Sequence, residues 1–383
     1  MNTEDELLAP PSPAPAAIPP SAPPEPAETR FLKWMIIGSR GVRVGWSVAL
    51  FLLMFFVISG ILGAIAFLAL GPGLQDSLKE FSPKSALFQE CLQFFPVLIA
   101  AAISALIEHR SILDYNLRGR NRLLHFSVGL MAGAAALSAL VASLHAGGWL
   151  QFGAPALSGA QILQMGALWA IAFLLTGFSE EGLTRCYMLF TLTRGINYWW
   201  ALGTVLCFSL FALANPHGNG SGGVYLMAAL GVIPCLLLHL RESPSAGFWE
   251  AAWLTSTFFG YVHTFNKGET WIGIFSAAAI GFAFCVSVRV TGSAWWAIGF
   301  HAAWDWAQTF FYGTADSGMV AHGHYLTTSP AGAVVWSGGS AGPEGSVLVI
   351  PTVLVVIVAL VLIYGRERPP FKSVSVTDLS QLS

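Results

Sequence analysis

Ten apolar windows make up most of this chain and constrain its fold more than any other feature. A segment of about 20 apolar residues crosses a bilayer as a helix, because lipid offers the backbone no hydrogen-bonding partner. Of 383 residues, 55% are hydrophobic and only 10% are charged. The sequence therefore predicts an all-α polytopic membrane protein with about ten transmembrane helices. The windows are 44–70, 87–107, 123–147, 162–193, 198–214, 223–240, 246–265, 271–289, 294–312 and 346–364.

Positive charge falls mainly on one side of this topology. If every window crosses, that side carries Arg30, Lys33, Arg40, Arg43, Arg110, Arg118, Arg120, Arg122, Arg194, Arg241, Arg289, Arg366, Arg368 and Lys372. Only Lys79, Lys84 and Lys267 fall on the other side. An excess of Lys and Arg marks cytoplasmic loops. We therefore expect a multi-pass protein of the plasma membrane with both termini in the cytoplasm. Since no basic block is present, we expect no nucleic-acid partner.

Composition divides the chain into five regions. The first 28 residues contain nine prolines, and such a segment buries too little apolar surface to fold. The loop at 313–345 is rich in Gly and Ser, and it fits either an ordered cap or a floppy segment. The predicted regions are a disordered Pro-rich tail at 1–28, N-terminal transmembrane helices at 29–161, a transmembrane core that carries the polar residues at 162–312, a non-cytoplasmic loop at 313–345, and a last transmembrane helix with a cytoplasmic tail at 346–383.

Two adjacent acids interrupt the fourth window, which is long for a single span and is expected to begin outside the core or to kink near Gly177. Glu180 and Glu181 lie in an apolar stretch, and Arg185 follows Glu181 by one helical turn. Charge at membrane depth costs a few kcal/mol or more per residue. At this spacing Arg185 faces Glu181, whereas Glu180 points about 100° away. We expect Arg185 to neutralise Glu181 while Glu180 faces a cavity.

Two later windows carry the other intramembrane polar residues. His263 lies in the seventh window, and His301 precedes Asp305 by one turn in the ninth. Asp305 has the spacing to orient or charge-pair the imidazole. Each feature alone also fits a structural ion pair or a clasp between helices, but together they favour chemistry. Glu90 and Glu250 lie near window ends, where capping or snorkelling is expected.

These motifs, in this order, resemble the CAAX protease and bacteriocin-processing family (CPBP, also called Abi) of intramembrane endopeptidases, which includes the type II CAAX prenyl endopeptidases. The family signature is EExxxR, then FxxxH, then HxxxN or HxxxD. This chain has Glu180-Glu181-Gly-Leu-Thr-Arg185, then Phe259-Gly-Tyr-Val-His263, then His301-Ala-Ala-Trp-Asp305. The resemblance covers about 162–312.

The resemblance implies hydrolysis of a peptide bond in a membrane-associated peptide or lipid-modified protein. The first Glu and the His of FxxxH would activate a water, and the last His and Asp would hold the tetrahedral intermediate. The second Glu and the Arg would position the base. The six residues so assigned are Glu180, Glu181, Arg185, His263, His301 and Asp305.

A metal mechanism is the alternative that the family also implies. Glu180, His263 and His301 would hold a divalent metal such as zinc, with water in the fourth place. The residues do not decide between the two mechanisms.

Three features depart from the family pattern. Asp305 stands where many members have Asn, and an ionised Asp cannot donate a hydrogen bond to an oxyanion. Cys186 follows Arg185 where Gly is usual, which leaves a thiol mechanism open, although the five cysteines show no paired spacing and are expected to be reduced packing residues. The FxxxH motif comes two windows later than usual. Within that additional pair, Asn215-Pro216-His217 echoes the motif, and His217 is a second candidate.

Two other classes of function remain open. One is a non-proteolytic membrane protein on the same scaffold, giving bacteriocin immunity or binding a partner. The other is a proton- or ion-coupled transporter that uses the same acids.

Overall fold

The apolar windows fold into helices whose bounds follow the predicted spans. A computed structural model describes residues 31, 36–38, 41–77, 80–214, 220–241, 245–266, 268–316 and 318–365. The protein is 77% helical with almost no sheet. Its main helices are α1 Val44–Ser77, α2 Pro83–Ile107, α3 Arg122–Ala146, α4 Ala160–Glu181, α5 Tyr198–Ala214, α6 Gly220–Leu240, α7 Ala246–Val262, α8 Trp271–Thr291, α9 Trp295–Asp305 and α10 Val349–Tyr364.

The helices confirm an all-α polytopic membrane protein. Within the described ranges, five helices are long and apolar enough to cross a membrane: Val44–Ala69, Pro83–Ile107, Arg122–Ala146, Ala160–Thr193 and Trp271–Thr291. Shorter apolar helices accompany them. The count of ten crossings and the division into five regions stay predictions.

Residues 1–43 form a unit of their own. In it, β1 (Ile37–Gly38) pairs with β2 (Gly41–Val42) as a short antiparallel ladder. Several sequence predictions concern residues outside the described part of the chain: the tail at 1–28, the loop lysines Lys79 and Lys267, the Asn215-Pro216-His217 echo, and the C-terminal tail from 366 onward.

Two helices change their winding beside the polar residues. Helix α4 runs directly into a π-helical turn, Gly182–Met188, and then into Leu189–Thr193. Helix α9 runs into a second π-helical turn, Trp306–Phe311. The change of winding lies after Glu181, and the kink near Gly177, which the length of the window suggested, stays a prediction. A π turn leaves backbone groups without the usual helical partner, and such turns are frequent at functional sites.

The loop between α2 and α3 holds the first π turn in place. The Asn116 side chain donates a hydrogen bond from Nδ2 to the carbonyl of Arg185 over 2.8 Å. The backbone carbonyl of Asn116 accepts from the Ala294 amide at the start of α9 over 2.8 Å. One loop thus fixes α4 and α9 relative to each other.

Glycines let α3 and α9 approach closely. A Cβ added at Gly129 would lie 2.2 Å from the carbonyl oxygen of Trp296, and one added at Gly133 would lie 2.2 Å from that of Phe300. The two glycines form a GxxxG pattern, which brings membrane helices into backbone contact. This contact fixes the helix that carries His301.

The Gly/Ser-rich loop at 313–345 is ordered against the helices. Strand β3 (Leu150–Phe152) pairs antiparallel with β4 (Thr328–Pro330). Trp149 stacks on Trp336 with ring centroids 4.9 Å apart. Of the two possibilities left open by the sequence, the ordered segment is the observed one.

Candidate active site

A cavity of about 380 Å³ lies among the helices. Four of the six sequence-predicted residues line it: Glu180, His263, His301 and Asp305. They come from α4, from the turn after α7 and from α9, so residues far apart in sequence line one cavity. The other two predicted residues, Glu181 and Arg185, are fully buried beside it.

Glu181 and Arg185 form the predicted ion pair inside the protein. Arg185 Nε lies 3.3 Å from Glu181 Oε2, and both side chains have no solvent exposure. Arg185 Nη1 also donates to the Thr184 hydroxyl over 2.6 Å. A buried charge without its partner is strongly destabilising, so each residue of the pair holds the other in place.

Aromatic rings and a glycine enclose the Arg185 guanidinium. The Phe259 ring centroid lies 4.5 Å from its Cζ, and the Phe284 centroid 5.4 Å. Such cation–π contacts are strongest where water is excluded. A Cβ at Gly281 would come within 2.3 Å of Arg185 Nη2. The Phe259 ring therefore packs on the Arg185 guanidinium and joins the turn after α4 to the end of α7.

His301 bridges the buried pair and the cavity. Its Nδ1 lies 2.9 Å from Glu181 Oε1. Its Nε2 faces the cavity, 3.4 Å from Asp305 Oδ2 and 3.7 Å from Glu180 Oε2. Ionised carboxylates only accept hydrogen bonds. If Glu181 is ionised, Nδ1 must carry a proton for its contact to be a hydrogen bond, whereas the two Nε2 contacts are at ion-pair distances.

His263 is oriented by its own helix. It follows the last residue of α7 in a 3₁₀ turn, and its Nδ1 lies 2.7 Å from the Phe259 carbonyl oxygen. A carbonyl only accepts, so Nδ1 carries the proton and donates. In the neutral ring, Nε2 is then a proton acceptor, as a general base requires.

The metal alternative draws on three residues of the cavity wall, Glu180, His263 and His301. No group of three or more His, Cys, Asp or Glu side chains in the described ranges has the geometry to hold a metal ion. The predicted ligand set of Glu180, His263 and His301 stays a prediction, and no step below passes through a metal.

Sequence reasoning missed other acids that line the same cavity. Glu90 was expected to cap a helix or to snorkel, but Ser82 caps α2, and Glu90 lies two turns further on in the cavity wall. Glu269, Asp316 and Glu344 also line the cavity. The only sequence signal was acids within or next to apolar windows, and it did not reveal which face they occupy.

Glu344 connects the 313–345 loop to α9. Its carboxylate accepts a hydrogen bond from Trp304 Nε1 over 2.9 Å. Burial, with Asp316 and Glu269 nearby, raises the pKa of Glu344 to about 8 from an ordinary value of 4.5. A neutral carboxyl is therefore the favoured form of Glu344 over most of the physiological range.

Cys186 and Glu250 lie away from this chemistry. Cys186 is buried in the first π turn, Glu250 is buried in α7, and neither lines the cavity. All five cysteines are free. The cavity thus combines a carboxylate and an imidazole acceptor with a second imidazole held by a buried ion pair, a set suited to water activation.

One of three comparisons with known proteins found a match. No curated protein and no solved structure matches the chain significantly. Residues 234–307 match the family model described as type II CAAX prenyl endopeptidase Rce1-like. The matched segment includes His263, His301 and Asp305 but begins after Glu180, which the fold brings to the same cavity. This segment of the chain is therefore similar to the type II CAAX prenyl endopeptidases, the group that the order of the motifs led us to expect.

Proposed function

We propose that the protein is an intramembrane endopeptidase that hydrolyses a peptide bond of a membrane-associated peptide or lipid-modified protein. The observation that carries the proposal is the common cavity of Glu180, His263, His301 and Asp305. The Rce1-like match supports a protease of the CAAX type. A pair of acceptors at membrane depth, next to an oriented imidazole, has no evident packing role.

Water activation is assigned to the two acceptors of the cavity. Glu180 is 30% exposed and has no Arg or Lys bonded to it among the described residues. It takes a proton from water as the water oxygen bonds to the carbonyl carbon of the substrate. His263, with Nε2 as its free acceptor, orients this water or shares the proton. The proton later passes to the leaving amine as the C–N bond breaks.

Stabilisation of the intermediate is assigned to His301. For Nε2 to donate to an oxyanion while Nδ1 donates to Glu181, the ring must carry both protons. Glu181 and Asp305 supply the counter-charge. In this role Asp305 acts by orienting His301, which removes the objection that an ionised Asp cannot itself donate to the oxyanion.

Cleavage in proteoliposomes tests the proposal. Wild type, Glu180→Gln and His263→Ala would be compared on membrane-anchored fluorogenic peptides, prenylated in one set and unprenylated in the other. We expect each variant to lose about 10²–10⁴-fold in rate, the range for removal of a general base. Glu250→Gln, a buried glutamate outside the cavity, is the matched control and should keep the wild-type rate.

The outcomes separate the competing functions. Failure of folded wild type to cleave any peptide would contradict the proposal and favour immunity or partner binding. Proton flux driven by a pH gradient, without cleavage, would favour a transporter. Loss of cleavage with a chelator, restored by zinc, would show that the reaction needs a metal and would favour the alternative in which Glu180, His263 and His301 bind it.

We further propose a plasma-membrane location with both termini in the cytoplasm. The distribution of Lys and Arg along the chain supports the placement of the termini. Reporter fusions at each terminus, active only on one side of the membrane, test it. Opposite signals at the two termini would contradict an even number of crossings.

A further inference from the structure

The cavity extends to one end of the helix bundle. Three connections contribute to its wall there: the one before α2, the one between α7 and α8, and the 313–345 loop. We call this the loop end, and its lining residues are Phe81, Asn266, Glu269, Asp316, Met319 and Glu344. At the opposite end the described connections are 108–121, 194–197 and 292–294, and none of their residues lines the cavity. The cavity therefore leads from His301 toward the loop end.

Hydrogen bonds hold the connections of the loop end together. The His322 amide donates to the Phe81 carbonyl over 2.7 Å, and the Ser340 hydroxyl donates to the Gly268 carbonyl over 3.2 Å. Strands β3 and β4 pair at the same end. The mouth of the cavity is thus built from chain segments that are fixed to one another.

Exposed side chains mark this mouth. Gln89 and Gln93 are exposed and lie in the first half of α2, which begins at the loop end. Val262 is the last residue of α7 and is 44% exposed, and Met319 in the 313–345 loop is 45% exposed. All four line the cavity. Two glutamines in an apolar helix are typical of a water-filled path, since polar side chains at membrane depth face cavities or partners.

Packed side chains separate the cavity from the opposite end. Cys186 and Leu189 after α4, Cys285 on α8 and Ile298 on α9 belong to one cluster of buried apolar residues. In sequence they lie between the cavity residues and the connections of the opposite end. Protein interiors pack too densely for a peptide to pass through them. A peptide substrate therefore enters from the loop end.

The opposite end carries most of the positive charge, and we call it the basic end. Among the described residues, Lys84 is the one Lys or Arg at the loop end. The described basic side chains of the basic end are Arg110, Arg118, Arg120, Arg122, Arg194, Arg241 and Arg289. Because an excess of Lys and Arg marks the cytoplasmic side, this distribution favours a loop end on the non-cytoplasmic side.

We infer that the active site opens to the non-cytoplasmic side and that its substrates are membrane-anchored peptides whose scissile bond lies on that side. The inference rests on the proposed endopeptidase function. Lipid offers no hydrogen-bonding partner to an unfolded backbone, so a peptide segment confined to the cytoplasm does not reach the cavity. The substrate class is therefore exported or outward-facing proteins that stay attached to the membrane.

Cysteine labelling from each side of the membrane tests the opening without substrate. Ser276 on α8 lines the cavity and is buried, so Ser276→Cys reports the interior, while Met319→Cys reports the mouth. Arg120→Cys reports the basic end. The background variant lacks the exposed Cys207 and the half-buried Cys91, and the probe is a small charged thiol reagent that does not cross membranes. We expect labelling of both lining positions in intact cells, and of Arg120→Cys only after the membrane is opened.

Two matched substrates give a second readout. Both carry the same fluorogenic peptide on one transmembrane anchor, and the charges that flank the anchor place the peptide outside in one substrate and in the cytoplasm in the other. We expect wild type to cleave the outward-facing peptide. Cleavage of the inward-facing peptide should be lost, down to the level of Glu180→Gln.

The outcomes separate this inference from the proposed function. Labelling of either lining position only after the membrane is opened, or of Arg120→Cys in intact cells, would overturn the inferred side. A Ser276→Cys that is labelled from neither side would overturn the open mouth. Cleavage of the inward-facing peptide would refute the substrate class and keep the endopeptidase. Labelling as expected, with neither peptide cleaved, would keep the open side and contradict the endopeptidase function.

Discussion

Glu180 and Glu181 are neighbours in the chain, but they belong to two regions with different physical character. The ion-paired side of the site consists of Glu181, Arg185 and the Phe259 ring, with no solvent exposure at either charged side chain. The cavity side holds Glu180 and His263. One residue of helical rotation, about 100°, therefore separates an acid fixed by a partner from an acid free to exchange a proton.

The comparison teaches that burial alone does not identify a catalytic acid. Glu181 is the more buried of the two, but its charge is already matched by Arg185 and by His301 Nδ1. Glu180 has no such cation bonded to it among the described residues other than the His301 ring at 3.7 Å. The role of each acid depends on the side of the helix that it faces and on whether a cation lies within ion-pair distance on that side.

Removal of Arg185 should break the ion-paired side with the largest effect on stability. Arg185→Leu leaves Glu181 buried and uncompensated, so we expect a loss of about 3–5 kcal/mol in the free energy of unfolding. Chemical unfolding in detergent measures it. Arg118→Leu, which removes an exposed arginine paired with Asp114, is the matched control and should cost about 0–1 kcal/mol. Equal losses would contradict a distinct buried pair.

Crowding the guanidinium should disturb the same side by a smaller amount. In Gly281→Ala the new Cβ would lie 2.3 Å from Arg185 Nη2, and such overpacking costs about 1–3 kcal/mol. Cleavage should fall as well, because the displaced Arg185 moves Glu181 and with it His301. Gly203→Ala on α5 meets nothing within 4 Å and should be neutral or stabilising. If Gly281→Ala changed neither the free energy of unfolding nor the cleavage rate, the close packing of Gly281 against Arg185 would be contradicted.

Loss of the Asn116 side chain should loosen the π turn that joins the two sides. Asn116→Gly removes the 2.8 Å hydrogen bond to the Arg185 carbonyl, and we expect a loss of about 0.5–1.5 kcal/mol. Both Asn116 and Asn121 have positive φ, at 53° and 61°, which Gly adopts freely. Asn121 makes no capping bond, so Asn121→Gly is the matched control. Similar unfolding free energies for the two variants would refute the role of this bond.

The 313–345 loop should add a mild pH dependence to the cavity side. The pKa of Glu344 is raised from 4.5 to about 8 by burial and by Asp316 and Glu269. A raised carboxyl pKa favours folding fully below about 4.5, and the benefit is lost as the pH rises toward 8. The melting temperature of wild type should therefore fall relative to Glu344→Gln across that window. Parallel curves would show that Glu344 titrates as in the unfolded chain.

Local sequence patterns predicted the helices and the buried ion pair of the site. The bounds of α2 to α10 follow the apolar windows, since a bilayer permits few alternatives to a helix. The spacing of Glu181 and Arg185 predicted their ion pair, and the order of motifs predicted the similarity of residues 234–307 to the Rce1-like family. These inferences needed only helical periodicity and the cost of buried charge.

Long-range contacts could not be read in the same way. The hydrogen bond between the Asn116 side chain and the Arg185 carbonyl joins residues 69 positions apart. No local sequence pattern predicts the π turn that contains Arg185. From the sequence, Glu90 was expected to cap a helix or to snorkel. In the structure it lies within α2 and lines the cavity that also holds Glu180. The sequence of the 313–345 loop likewise did not reveal its pairing with β3.

Paired substitution of the two adjacent glutamates tests the central claim most directly. Cleavage rate and unfolding free energy would be measured for Glu180→Gln and Glu181→Gln in the same detergent and liposome preparations. We predict that Glu180→Gln keeps wild-type stability and loses about 10²–10⁴-fold in rate, whereas Glu181→Gln loses about 3–5 kcal/mol of stability because Arg185 is left unpaired. An active Glu180→Gln, or a Glu181→Gln as stable as wild type, would contradict the division between a reactive and a structural acid.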